Sequence, residues 1–221
     1  MDTSQAIRKR WAARAYLDKE VERETIRQIL DTARWAPSGS NIQPWRVEVV
    51  TGEAKDKLGA AMAAARAGGE AERPEYDYYP GTWVEPFDSR RKACGLALYK
   101  AQEIRREDKE KRMAAWLANY HFFGAPVGLF FFMDRSMSAG GFLDMGIFIQ
   151  SVMLAATDQG LATCPQASLA SYPDIVRKAL GVPENMLLLC GMSLGYAATD
   201  APVNSYRTER APVDEFATFH G

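Results

Sequence analysis

An α+β fold is predicted for this chain from three observations. Residues 126–133 and 186–194 are near-continuous apolar runs of strand length, the pattern of strands covered on both faces. Residues 142–159 place Phe148, Val152, Leu154, Ala155 and Ala156 at near-helical spacing, a helix apolar around most of its circumference. Helical and strand patterns then follow one another without the regular alternation of βαβ units, which favours α+β over a doubly wound sheet. With 221 residues, no internal repeat, no low-complexity tract and no clear boundary, residues 1–221 read as a single domain.

Taken in order, residues 4–10 read as a short helix with Thr3 or Ser4 as N-cap. Residues 22–36 carry Ile26, Ile29, Leu30 and Ala33 as an apolar stripe, acidic residues in the first turn and a stop at Pro37. Residues 46–51 alternate as a strand through Val47 and Val49, and 52–66 are Ala- and Lys-rich and helical. Residues 68–88 form the longest irregular segment and the most aromatic one, with Tyr76, Tyr78, Tyr79, Trp83 and Phe87. Segments of this length are functional lids or disordered, and aromatic density argues against disorder. A satellite aromatic cluster and a substrate-pocket wall both fit.

Residues 89–119 read as one or two helices and 162–168 as a short strand. Residues 172–180 form a helix with Pro173 near its start. Residues 201–221 are an extended arm whose Val203, Tyr206, Val213, Phe216 and Phe219 need a surface to cover them, a partner subunit being one candidate. The apolar helix at 142–159 belongs either in the core or in a subunit interface.

The net charge of −1 gives no long-range attraction to nucleic acid or to an anionic membrane. Three cysteines without paired spacing argue against a disulfide framework and suit a reducing compartment. The N-terminus lacks the apolar core of a secretory signal. The apolar run at 186–198 is broken by Gly191 and Gly195 and is too short to span a bilayer. A cytoplasmic protein is expected. His121 and His220 stand in no metal-ligand spacing.

No Gly-x-Gly-x-x-Gly follows a strand and no phosphate-binding Gly-Lys-Ser/Thr is present. Gly191-Met-Ser193-Leu-Gly195 matches the nucleophile elbow of serine hydrolases. That motif needs a helix immediately after it and a downstream histidine, yet residues 196–202 are too short and end in proline. The two glycines are better read as close backbone packing at a strand end.

What remains is Arg10, Arg14, Arg207 and Arg210 at the two ends of the chain, with Ser38, Asn41 and Gln43 in the segment Trp35-Ala-Pro-Ser-Gly-Ser-Asn-Ile-Gln-Pro-Trp45. Guanidinium groups suit phosphate, and hydroxyls and amides suit the edge of a heterocycle. The loop, taken alone, is equally a proline-bounded turn with aromatic anchors.

These segments resemble the FMN-dependent nitroreductases over nearly the whole length. Arg10-Trp-Ala-Ala-Arg14-Ala-Tyr16 sits where the family has Arg-Arg-Ser-x-Arg-x-Phe, and Pro37-Ser38-x-x-Asn41-x-Gln43-Pro44-Trp45 matches its most recognisable stretch. Phe123-Gly-Ala-Pro126, Asp144-Met-Gly with Gln150, Cys164-Pro165-Gln166-Ala167, Gly195-Tyr and Arg210-x-Pro follow in order. The Cys-Pro-Gln-Ala box and the aromatic insert look most like the nitrobenzoate-reductase-like branch.

The resemblance implies a central mixed or antiparallel sheet flanked by helices, in an interlocked homodimer with swapped C-terminal arms. It implies FMN as cofactor, NADH or NADPH as electron donor, and a small nitroaromatic or quinone-type substrate. Arg10 and Arg210, with Arg207, would hold the FMN phosphate, and Arg14 would face the pyrimidine edge. Ser38, Asn41 and Gln43 would come from the other subunit, and backbone amides from Gln166 to Ser168 would lie at the reactive ring atom. Trp11, Ala12, Pro37, Gly39, Pro165 and Ala167 belong to the same matched segments. Ala12 departs from the family serine and leaves a backbone contact alone. Tyr76, Tyr78, Tyr79, Trp83 and Phe87 would wall the substrate pocket. Dehalogenation, ene reduction, and flavin binding without turnover are the alternatives on the same fold.

Overall fold

The computed structural model describes residues 1–221. The strands β1 (Arg46–Thr51), β2 (Val127–Asp134), β3 (Ala162–Gln166) and β4 (Met186–Gly195) form one sheet in the order β1-β2-β4-β3. Every pairing between them is antiparallel, which settles the sheet type left open by the sequence. The one parallel contact is an isolated bridge from Ala12 to Thr163 on β3. The helices are α1 (Thr3–Lys9), α2 (Arg23–Ala33), α3 (Gly52–Ala67), α4 (Phe87–Ala101), α5 (Lys109–Leu117), α6 (Ala139–Asp158) and α7 (Pro173–Leu180).

β2 is central and covered on both sides, as its unbroken apolar run predicts. Leu129, Phe131 and Met133 face a core shared with α2 and α6, whereas Phe130 and Phe132 face a second core shared with α3 and α7. All five are fully buried, and each contributes roughly 1.5–3 kcal/mol by leaving water. The glycines of β4 serve close packing. A Cβ on Gly191 would lie 2.4 Å from Leu169 Cδ1, and one on Gly195 would lie 2.6 Å from Pro126 Cδ.

Several boundaries move. The N-cap of α1 is Asp2, whose carboxylate accepts from the Gln5 amide at 2.8 Å, instead of Thr3 or Ser4. α2 ends at Ala33, three residues before the expected stop, and closes through tight turns from Trp35 to Thr32 and from Ala36 to Ala33. The residue before a proline avoids the helical region, so the chain leaves the helix early. α6 starts at Ala139, because Gly140 and Gly141 hide its first turn from a propensity reading.

α6 meets the length and composition of a membrane span, which the sequence reading did not pick out. Its inner face (Met145, Phe148, Val152, Ala156) packs into the core. Its outer face leaves Leu143 72% and Ile147 43% exposed.

The register of β2 against β4 slips at Phe131 and Phe132, which pair with Cys190 and Leu188 and leave Leu189 as the extra residue. This bulge anchors the aromatic insert. Tyr76 Oη donates to the Leu189 carbonyl at 2.7 Å, and the Leu188 amide donates to Glu75 Oε2 at 2.9 Å. Glu75 also pairs with Arg135 and Arg177.

The C-terminal arm is tied at its root by Asn204. Its Oδ1 accepts from the Arg14 amide at 2.8 Å, and its Nδ2 donates to the carbonyls of Ala15 and Ala198. Beyond it, Val213, Phe216 and Phe219 stay exposed.

Candidate functional site

The segment after α1 runs along the edge of β3, held by the Ala12 bridge and by the Ala13 amide donating to Thr163 O at 3.2 Å. Asn204 brings the C-terminal arm to the same place. Arg10, Arg14, Arg207 and Arg210, with Arg8, thereby line one cavity of about 560 Å³ that contains no carboxylate. Trp11 and Ala12 line it too.

Arg14 Nη1 donates to Tyr206 Oη at 2.9 Å, and the Arg207 guanidinium lies 4.0 Å over the Trp11 ring. Arg210 spends one nitrogen on Thr208 and the Glu209 carbonyl. Burial, and then the charge of Arg210, lower the pKa of Arg10. Guanidinium groups gathered without a counter-charge form a site for an anion, and their fork geometry suits phosphate. The donor set therefore fits the phosphate of FMN.

A second cavity, of about 660 Å³, is walled by Tyr76, Asp77 and Tyr78 from the insert, by Phe142, Gly146 and Ile149 from α6, and by Leu189 and Cys190 from β4. Pro165, Gln166 and Ala167 complete it. Gly146 and Ile149 stand in this cavity and Gln150 in the arginine cavity, so the two share one helical stripe of α6. They also share β3: Ala12 is bridged to its start, and Pro165 and Gln166 form its end. The two cavities thus lie along the same helix and strand, a trough cationic at one end and aromatic at the other if FMN bridges them.

Gln166 and Ser168 turn their side chains inward. Gln166 Nε2 donates to Asn119 O at 2.9 Å and to Asn119 Oδ1 at 3.2 Å, while its Oε1 accepts from Ser193 Oγ. Ser168 Oγ donates to Asn119 Oδ1 at 3.1 Å. The backbone is what this segment offers to the trough. Ser193, the centre of the elbow-like motif, is fully buried and serves as a donor to Gln166.

Burial pushes the Cys190 thiol up to about 12 and the Cys164 thiol up to about 11. Neither is a thiolate nucleophile near neutrality. Burial, with Cys190 adding to it, also raises the Tyr76 phenol above its ordinary range.

The loop from Trp35 to Trp45 is fastened to α6. Gly39 N donates to both oxygens of buried Asp144, at 3.1 and 3.2 Å, and Trp45 stacks on Phe148 with ring centroids 4.6 Å apart. Ser38 Oγ accepts from the Gln43 amide at 2.9 Å. Ser40, Asn41 and Gln43 hold φ of 49°, 57° and 49°. Three left-handed non-glycine residues within four positions need a surrounding that over-determines them.

Pro37, Ser38, Gly39, Asn41 and Gln43 line neither end of the trough in the single chain. Tyr79 meets Tyr78 edge-on and Trp83 lies tilted against Tyr79, and Phe87 opens α4; none of the three lines the aromatic cavity. Asp77, Asn119, Asp144, Ser193, Asn204 and Tyr206 escaped the sequence reading as site residues. Ser193 is marked only by the elbow-like motif and Asp144 only by a family-matched stretch. The roles of Asn119, Asp144, Ser193, Asn204 and Tyr206 rest on partners distant in the chain.

A family model described as the nitroreductase family matches residues 7–196. The chain is 39% identical over 214 residues to a chloronitrobenzene nitroreductase of Comamonas testosteroni, covering 96% of this chain and 94% of that protein. It is 37% identical over 220 residues to a 4-nitrobenzoate reductase of Pseudomonas putida, covering 100% and 96%. The crystal structure of the FMN- and NADPH-dependent nitroreductase NfnB from Sphigopyxis sp. strain HMH superposes with a TM-score of 0.97 at 41% identity, over 100% of both chains.

Proposed function

Since this chain belongs to the nitroreductase family, we propose that it is an FMN-dependent oxidoreductase that uses NADH or NADPH to reduce nitroaromatic or quinone-type compounds. The observation that carries this reading is the placement of a cationic cavity and an aromatic cavity along the same stretch of α6 and β3. FMN, when bound, supplies a two-electron carrier that accepts hydride from a nicotinamide and then serves the acceptor in the same place.

The chain's own residues bind, orient and shield. Arg10, Arg207 and Arg210 hold the phosphate. Arg14, oriented by Tyr206, presents positive charge to the pyrimidine edge, where it favours the anionic reduced ring. Trp11 and Ala12 frame the same end, Ala12 through its backbone. Pro165, Gln166 and Ala167 contribute backbone at the reactive face, held from behind by Asn119 and Ser193. Tyr76 and Tyr78 present flat apolar walls for an arene.

The assembly is a homodimer in this reading. The exposed stripe of Leu143 and Ile147 on α6 and the uncovered Phe216 and Phe219 of the arm supply apolar surface to bury. Pro37, Ser38, Gly39, Asn41 and Gln43 then serve the cofactor of the partner subunit, and the arms exchange between subunits. Tyr79, Trp83 and Phe87 extend the substrate wall. The cytoplasm suits three free thiols.

The test is the absorption spectrum of purified protein, followed by anaerobic bleaching with NADH or NADPH and recovery on adding nitrobenzene. A yellow protein that bleaches and recovers is expected. Protein that stays colourless after FMN is added would overturn the reading, and an active FMN-loaded monomer in sedimentation experiments would overturn the contribution of the loop to the partner.

A further inference from the structure

We infer that Asp77 makes this a site for uncharged nitroarenes and disfavours ring carboxylates. The inference rests on the nitroreductase reading and narrows its substrate class. The relatives include proteins named for both kinds of compound, a chloronitrobenzene nitroreductase and a 4-nitrobenzoate reductase, at 39% and 37% identity. Overall likeness does not choose between them, whereas the lining of the aromatic cavity does.

Of the side chains around that cavity, Asp77 alone is charged, and no lysine, arginine or histidine faces it. Its neighbours leave it uncompensated. Glu75 takes Arg135 and Arg177, and Arg177 also pairs with Asp174, so two acids and two bases balance among themselves. The arginines of the trough lie at the opposite end, where the phosphate fits. Tyr76 is pinned by its hydroxyl to the Leu189 carbonyl, which fixes the backbone immediately before Asp77.

A carboxylate on the substrate ring would leave water for a largely apolar cavity without a cation to pair with it, at a desolvation cost. It would also meet the like charge of Asp77, which stands at the exposed rim of the cavity in the single chain. A neutral ring with the same nitro group meets neither penalty. The nicotinamide ring, with its neutral carboxamide, enters on the same terms as a neutral arene.

The experiment uses FMN-loaded protein and compares 4-nitrobenzoate with methyl 4-nitrobenzoate, which keeps the para substituent and removes its charge. The wild type is expected to favour the ester in kcat/KM by on the order of tenfold or more. Asp77→Asn should raise the acid-to-ester ratio by about tenfold, and Asp77→Lys should invert the preference. Equilibrium titration of the flavin band with benzoate and methyl benzoate should follow the same order without turnover. Equal use of acid and ester by the wild type, or a ratio unmoved by Asp77→Asn, would overturn the inference and leave the nitroreductase reading standing. Turnover of neither compound by protein that does bleach with a nicotinamide would overturn both.

Discussion

The amide of Gly39 donates to both carboxylate oxygens of Asp144, at 3.1 and 3.2 Å, across 105 residues of chain. Asp144 is buried on the inner side of α6, so the loop from Trp35 to Trp45 takes its position from the longest helix of the fold. Asp144→Ala leaves the Gly39 amide without a partner and is expected to cost about 1–3 kcal/mol. Urea unfolding should register that loss, and titration with FMN should show weaker uptake, since the loop carries Ser38, Asn41 and Gln43.

Burial first, and repulsion from Arg210 second, lower the pKa of Arg10, so the two guanidinium groups strain against one another in the absence of an anion. Arg210→Ala should therefore slightly raise the melting temperature of the apoprotein. The same change should weaken FMN binding by roughly 10- to 100-fold, the worth of one charge-assisted hydrogen bond. Fluorescence quenching of FMN at two ionic strengths checks it, the salt dependence being smaller in the variant.

Ser193→Ala deprives Gln166 Oε1 of its donor in a fully buried position. A destabilisation of about 1–3 kcal/mol is expected. Because Gln166 carries the backbone that faces the trough, the flavin spectrum and midpoint potential should shift as well. A serine-directed fluorophosphonate should leave the wild type unlabelled.

The buried thiols predict the alkaline limb of stability. Unfolded cysteine ionises near pH ~8.5, while burial holds Cys164 and Cys190 protonated in the fold to about 11 and about 12. Above pH ~8.5 the unfolded chain binds fewer protons than the folded one, so stability falls as pH rises, by up to ~1.4 kcal/mol per pH unit for each thiol. The fall continues until the folded-state values are passed. Denaturant titrations between neutrality and pH ~10 measure it. In native protein, iodoacetamide should modify exposed Cys94 alone, with all three sites reacting after unfolding.

Local periodicity carried much of the architecture. β1 runs over the residues whose alternation marks it, β2 is covered on both faces, and α7 starts at Pro173. The doubled glycines hid the start of α6, and the proline at 37 shortened α2 by its effect on the residues before it. The site was less legible. The arginines lie at opposite ends of the sequence, and it is Asn204, 190 residues from Arg14, that joins them. Only the ordered set of family motifs pointed to that convergence. Asp77 sits in a segment without periodicity, and its meaning depends on which cations its neighbours have already engaged.

The extra residue in β4 has a consequence for how this protein tolerates change in length. The wall of the aromatic cavity is moored at Glu75 and Tyr76 to the bulge at Leu188 and Leu189, while the residues from Pro80 to Pro86 span no strand or helix. Lengthening that outer stretch adds loop entropy that grows slowly with length and leaves the mooring in place. Deleting Leu189 would restore a regular ladder and strip the tyrosine of its berth. A shorter strand would thus make a tidier sheet and a wall without an address.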